Sequence, residues 1–135
     1  MRGCAVTIAA LALAGCSTAP EAPERNPAAD QQLARMLTGK VAGKPMTCLP
    51  SYNADDLTQI DDRRLAFRTG ATTYLVKLSG GCRFGGASGT ALLTRSFGGM
   101  GLCRGDIVQS LDTLSHMTVG SCGIVEVIPF APPRR

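Results

Sequence analysis

The spacing of apolar positions changes along this chain, and each change marks a different kind of segment. Residues Cys4 to Ala14 are almost uniformly apolar. As a helix, these 11 residues rise only about 16 Å against roughly 30 Å of bilayer core, so they predict no permanent span. From Ser17 to Ala29 large apolar side chains vanish, and Pro20, Pro23 and Pro27 interleave with Ala and Glu, which predicts a tether. At Asp30 to Thr38 the spacing becomes helical. Leu33, Met36 and Leu37 fall at i, i+3 and i+4, Asp30 stands where a cap belongs, and Gly39 sits just past the end. A helix this short is marginal alone, so its stripe is expected to dock on the following domain.

Beyond Gly43 the period falls to two. Leu65 to Arg68 and Thr73 to Leu78 read as strands, with Tyr74, Val76 and Leu78 on one face and Thr69-Gly70-Ala71-Thr72 as the hairpin connection. Ala91 to Thr94, Asp106 to Ser110, Met117 to Val119 and Gly123 to Phe130 are further strand candidates. Ile124-Val125-Glu126-Val127-Ile128, closed by Pro129, is β-branched on both faces, which predicts burial on both sides apart from Glu126, in a central strand or a sandwich interior. The pattern therefore predicts a mainly β (α+β) fold: a small antiparallel sheet or barrel-like domain with one short N-terminal helix and two disulfides.

Composition narrows the functional classes. Removing residues 1–15 leaves 13 basic against 10 acidic side chains, a balance too weak to predict a nucleic-acid partner. Trp is absent, so the core must rest on Leu, Ile and Val with covalent help. Of six cysteines, Cys48, Cys82, Cys103 and Cys122 lie in the strand-rich part without a C-x-x-C pair, and His116 is the single histidine. Zinc and thioredoxin-like chemistry fit this spacing poorly, so no metal and no cofactor are expected; two structural disulfides fit it well. Three pairings are open, and Cys82 with Cys103 plus Cys48 with Cys122 is preferred. The first would close a Gly-rich excursion, and the second would tie the domain's opening to its last strand.

Leu13-Ala14-Gly15-Cys16, following Met1-Arg2 and the apolar run, resembles the lipobox of bacterial lipoproteins. That resemblance implies cleavage before Cys16, a diacylglycerol on its sulfur and a further acyl chain on the new amino group, enough for stable anchoring. An ordinary secretory signal is the rival reading, since Ala12-Leu13-Ala14 also forms an A-x-A site. Cysteine parity favours the lipid, because it removes an odd thiol from an oxidising compartment. Ser17, in place of the Asp that retains lipoproteins at the inner membrane, implies the outer membrane with the domain facing the periplasm. The expected organisation is a signal peptide at 1–15, a lipidated Cys16 and tether at 16–29, one disulfide-stapled domain at 30–130, and a short basic tail at 131–135.

Apparent active-site signals are weak. Gly80 to Gly89 lacks the Lys-Ser/Thr of a phosphate loop, and Gly86-Ala87-Ser88-Gly89-Thr90 misses the G-x-S-x-G spacing. Asp55-Asp56 and Asp61-Asp62, beside Arg63 and Arg64, read as a solvated polar turn rather than a calcium loop. Arg104-Gly105-Asp106 reads as a turn rather than an adhesion tripeptide. No catalytic residue is expected.

Cys48, Tyr74 to Leu78 leading to Cys82, the string Leu102-Cys103-Arg104-Gly105-Asp106-Ile107, and Cys122 to Ile128 together resemble an uncharacterised family of small proteobacterial envelope proteins, a domain of unknown function. The similarity covers most of residues 46 to 130 and implies an exported, disulfide-bearing β domain without an assigned activity. Two functional classes follow. One is a non-catalytic accessory lipoprotein, membrane-attached through Cys16, whose partner is an envelope protein or peptidoglycan; a lysozyme-inhibitor-like version would use an acidic face around Asp55 to Asp62. The other is a small periplasmic hydrolase using His116 with Ser88 or Ser115.

Overall fold

The computed structural model describes residues 26–50, 56–83, 89–95 and 102–134. Helix α1 runs Pro27–Leu37, starting three residues before the predicted Asp30. The cap is Asn26, whose side chain accepts from the Ala29 N–H at 3.2 Å, and Pro27 at the start lacks the N–H that would go unpaired there. Pro27 to Ala29, expected within the tether, are therefore helical, and Ala29 is buried. Gly39 ends the helix with φ +73°. Cys16 and the expected signal and tether residues through 25 lie outside the described residues.

Seven strands follow: β1 Val41–Ala42, β2 Leu57–Asp61, β3 Arg64–Thr69, β4 Thr72–Leu78, β5 Thr90–Arg95, β6 Ile107–Asp112 and β7 Thr118–Ala131. They form one antiparallel, curled half-barrel sheet in the order β2-β3-β4-β7-β6-β5, with β1 on β7. Among the described residues the fold is mostly β with one helix, as the pattern predicts. Gly70, at φ +57°, takes the first position of the two-residue turn between β3 and β4.

Three expectations need correction. The strands expected at Met117 to Val119 and Gly123 to Phe130 are one strand, β7, which begins at Thr118 and pairs with β6 along its first half and with β4 and β1 along its second. The polar turn expected around the aspartates covers only Asp62-Arg63; Leu57 to Asp61 is a strand because Ile60 is buried beneath α1, while Asp55 lies outside the described residues. Finally, Val125 is 45% exposed rather than buried. Between Lys77 and Leu78 the partner on β7 jumps from Glu126 to Ile124, leaving Val125 as the extra residue of a bulge. The bulge shifts the side-chain phase, so Ile124 and Val127 enter the same core although three positions apart.

The sheet buries both faces of its β3-β4-β7 centre. Leu65, Phe67, Val76, Val108, Ile124 and Val127 fill the concave side, closed by Leu49 and Leu102. Ala66 and Leu75 turn the other way and, with Ile60, receive Ala29 and Leu33 of α1, while Ile128 and Phe130 pack alongside. Arg64 reaches Asp30 of α1 at 2.6 Å and Asp61 of β2 through its Nε at 2.7 Å, and the Asp61 hydrogen bond raises the guanidinium pKa above its ordinary value. These pairs are partly solvated and contribute little, so helix docking rests on the apolar stripe. Leu33→Ala is accordingly expected to lower unfolding free energy by about 2–3 kcal/mol in denaturant titration, with the β signal retained.

Candidate functional site

Disulfides shape the surface from which a site can be built. The bonds are Cys48–Cys103 and Cys82–Cys122, which replaces the preferred pairing of Cys82 with Cys103 and Cys48 with Cys122. The reason lies in the strand order. The Ser79 N–H bonds Gly123 O at 2.9 Å, extending the β4–β7 ladder beyond Leu78 and delivering Cys82 onto β7 at Cys122. On the other edge of β7 the chain around Met46 runs alongside, with Met46 N–H on Val127 O at 2.8 Å. That segment then meets the turn before β6, where Leu49 N–H bonds Leu102 O at 2.9 Å and Arg104 N–H bonds Thr47 O at 2.7 Å. Cys48 and Cys103 face each other across this contact.

Between these two supports and the β7 bulge lies a cleft of about 270 Å³, lined by Pro45, Met46, Thr47, Arg104, Val125 and Glu126. Its floor is fixed by hydrogen bonds. Gly105 N–H bonds Ile124 O at 2.9 Å, and the Cys103–Asp106 turn is closed twice, by Asp106 N–H on Cys103 O and by Cys103 N–H on the Asp106 carboxylate at 2.7 Å. Gly105 supplies the positive φ of +93° that this turn requires. Glu126 is held by Lys77 at 2.8 Å on the sheet's outer face. The cleft thus combines a guanidinium, a carboxylate, a hydroxyl and three apolar side chains, a lining suited to binding a short polar-apolar segment. Among the described residues Thr47 is its one hydroxyl, and no histidine or cysteine thiol lines it.

The residues singled out by sequence scatter over the molecule. His116 sits in the β6–β7 turn with φ +56°, exposed. Ser115 beside it donates its hydroxyl to Asp112 Oδ1 at 3.0 Å and accepts from Met117 N–H, so it serves the turn; Ser88 lies outside the described residues. Asp61 of the suspected acidic face is tied to Arg64. Asp106 of the Arg-Gly-Asp string is buried within its own turn, which makes it a structural residue. Among the described residues no three His, Cys, Asp or Glu side chains gather as metal ligands, and no helix is long and apolar enough to cross a membrane.

A family model described as "Family of unknown function (DUF6491)" matches residues 1–133. The chain belongs to this family. No curated protein and no solved structure matches it. Membership in DUF6491 agrees with the family-level resemblance carried by the cysteine segments, and it assigns no activity. What sequence reading missed in this DUF6491 chain is the cleft itself. Its one visible signal was Glu126, a charge inside an otherwise apolar run. Met46 and Arg104 become partners only through a bulge and a disulfide formed by residues far apart in the chain.

Proposed function

We propose that this DUF6491 chain is a non-catalytic accessory protein of the cell envelope, lipid-anchored through Cys16 to the outer membrane and binding an envelope protein or peptidoglycan on the periplasmic side. The observation that carries the anchor is the disulfide set. Both bonds close among Cys48, Cys82, Cys103 and Cys122, so once a signal carrying Cys4 is removed, Cys16 is the remaining thiol, at the end of Leu13-Ala14-Gly15. Acylation gives that thiol a chemical fate that agrees with an oxidising compartment. For binding, the supporting feature is the cleft at Val125, whose backbone is held rigid and whose lining has recognition groups rather than an activated nucleophile.

Cys16→Ala is expected to move the protein from the membrane pellet to the soluble fraction and to abolish metabolic labelling by an alkyne fatty acid, with both disulfides intact. A variant that still pellets and labels overturns the anchor. A photo-crosslinking residue at Val125 in the anchored protein then tests the cleft, since binding there requires an adduct that Arg104→Glu diminishes.

A further inference from the structure

The turn between β6 and β7 presents apolar side chains to solvent on a rigid frame. Leu114 is 77% exposed and Met117 67%, with Val119 beside them at 43%. Flexibility does not explain this exposure, because every backbone N–H from Asp112 to Met117 has an intramolecular acceptor. Asp112 Oδ1 takes the Leu114 and Ser115 N–H groups at 3.0 and 2.8 Å, and Asp112 O takes His116 N–H at 2.9 Å. Met117 N–H reaches Ser115 Oγ at 3.4 Å, Thr113 N–H reaches Gly89 O at 3.4 Å, and Asp112 N–H closes the loop on Met117 O at 2.9 Å. His116 is held at φ +56°, a conformation uncommon for a residue with a Cβ. A loop whose donors are already satisfied can leave water without orphaning them, which is what a low-dielectric interface demands.

Chain direction says which interface. Asp30, in the first turn of α1, binds Arg64, and Arg64 stands across from Lys77, which stands across from Glu126. Past the helix, the Lys40 ammonium donates to Thr73 Oγ1, level with Phe130. Helix α1 therefore runs from the level of Glu126 toward that of Phe130, so its N-terminal end at Asn26 points toward the Thr118 end of β7. From Glu126 the strand continues eight residues to Thr118, about 25 Å. The ten residues from Cys16 to Asn26 span up to about 33 Å when extended, so an acyl group on Cys16 can reach the plane of the loop.

We infer that Leu114 and Met117 seat in the headgroup–acyl boundary of the membrane that holds the anchor, fixing the domain upright with the Lys40 and Arg68 end away from the lipid. This rests on the proposed lipidation of Cys16. The loop carries no Lys or Arg, so its affinity is apolar, and it acts as a second contact rather than as an anchor.

The chain has no tryptophan, which makes a single introduced indole an unambiguous reporter. Full-length lipidated Leu114→Trp protein, in phosphatidylethanolamine/phosphatidylglycerol vesicles, is expected to float with the vesicles, to emit to the blue of its detergent-free Cys16→Ala counterpart, and to be quenched by acyl-brominated lipid. Arg68→Trp is expected to float equally while emitting as in water, without quenching. Leu114→Trp protein that floats with its indole unquenched and emitting as in water overturns the seating and leaves the anchor standing. A blue-shifted but unquenched indole in the same variant places the loop against protein, which likewise overturns a lipid occupant. Failure to float refutes the anchor and the seating together.

Discussion

Gly120→Ala is expected to cost about 3 kcal/mol, the upper end for overpacking, measured as a lower denaturant midpoint for the refolded, oxidised domain. A Cβ at this position would lie 2.6 Å from Gly81 O, 2.7 Å from Arg83 N and 2.8 Å from Ser110 Oγ. Two of these atoms are backbone, in a segment pinned by Cys82–Cys122, so the clash has no flexible side chain to absorb it. The contrast is Gly105→Ala. No heavy atom lies within 4 Å of its Cβ, so its smaller cost comes from backbone conformation alone. If both variants lose the same stability, the crossing of the 81–83 segment over β7 is not as tight as described.

Removing the Cys82–Cys122 bond is the second large effect. Its ends are 40 residues apart and those of Cys48–Cys103 are 55 apart, so chain entropy assigns each about 4 kcal/mol. Burial separates them. Cys82 and Cys122 lie within the core, whereas Cys48 and Cys103 are only partly buried. Cys82→Ala with Cys122→Ala therefore forfeits packing as well as the loop constraint, about 4–6 kcal/mol in total, a large fraction of the roughly 5–15 kcal/mol that holds a domain folded. Under a mild thiol reductant in native buffer, alkylation followed by mass analysis is expected to label Cys48 and Cys103 first. Simultaneous labelling of all four would contradict the burial difference.

Where local spacing and tertiary packing agreed, the fold was legible. Leu65 to Leu78 with its Gly70 turn, the helical stripe of Leu33, Met36 and Leu37, and the central place of the last strand are all present. The misreadings share a physical cause, namely contacts between distant segments. Gly120 falls in the gap between two expected strands, yet it lies within β7 at a point where another backbone crosses closely. The aspartates at 55–56 and 61–62 predict a polar turn, yet Ile60 beside them is covered by α1. The preferred cysteine pairing rests on closing a Gly-rich excursion and tying the domain's opening to its last strand, whereas the strand order sets which cysteines meet in space. Val125 was read as core because a bulge leaves no mark in an unbroken β-branched run.

The position of β7 in the chain has a consequence for how the molecule comes into being. Among the described strands, the one that joins β1, β4 and β6 is synthesised after all the others, so β2-β3-β4 and β5-β6 wait as separate pieces until residues 118–131 are available. Cys82 waits with them for Cys122. Such a topology postpones closure until residues 118–131 have been made, and it favours slow, all-at-once folding over folding in stages. A chain built this way stays threadable through a narrow passage for as long as its final strand is held back.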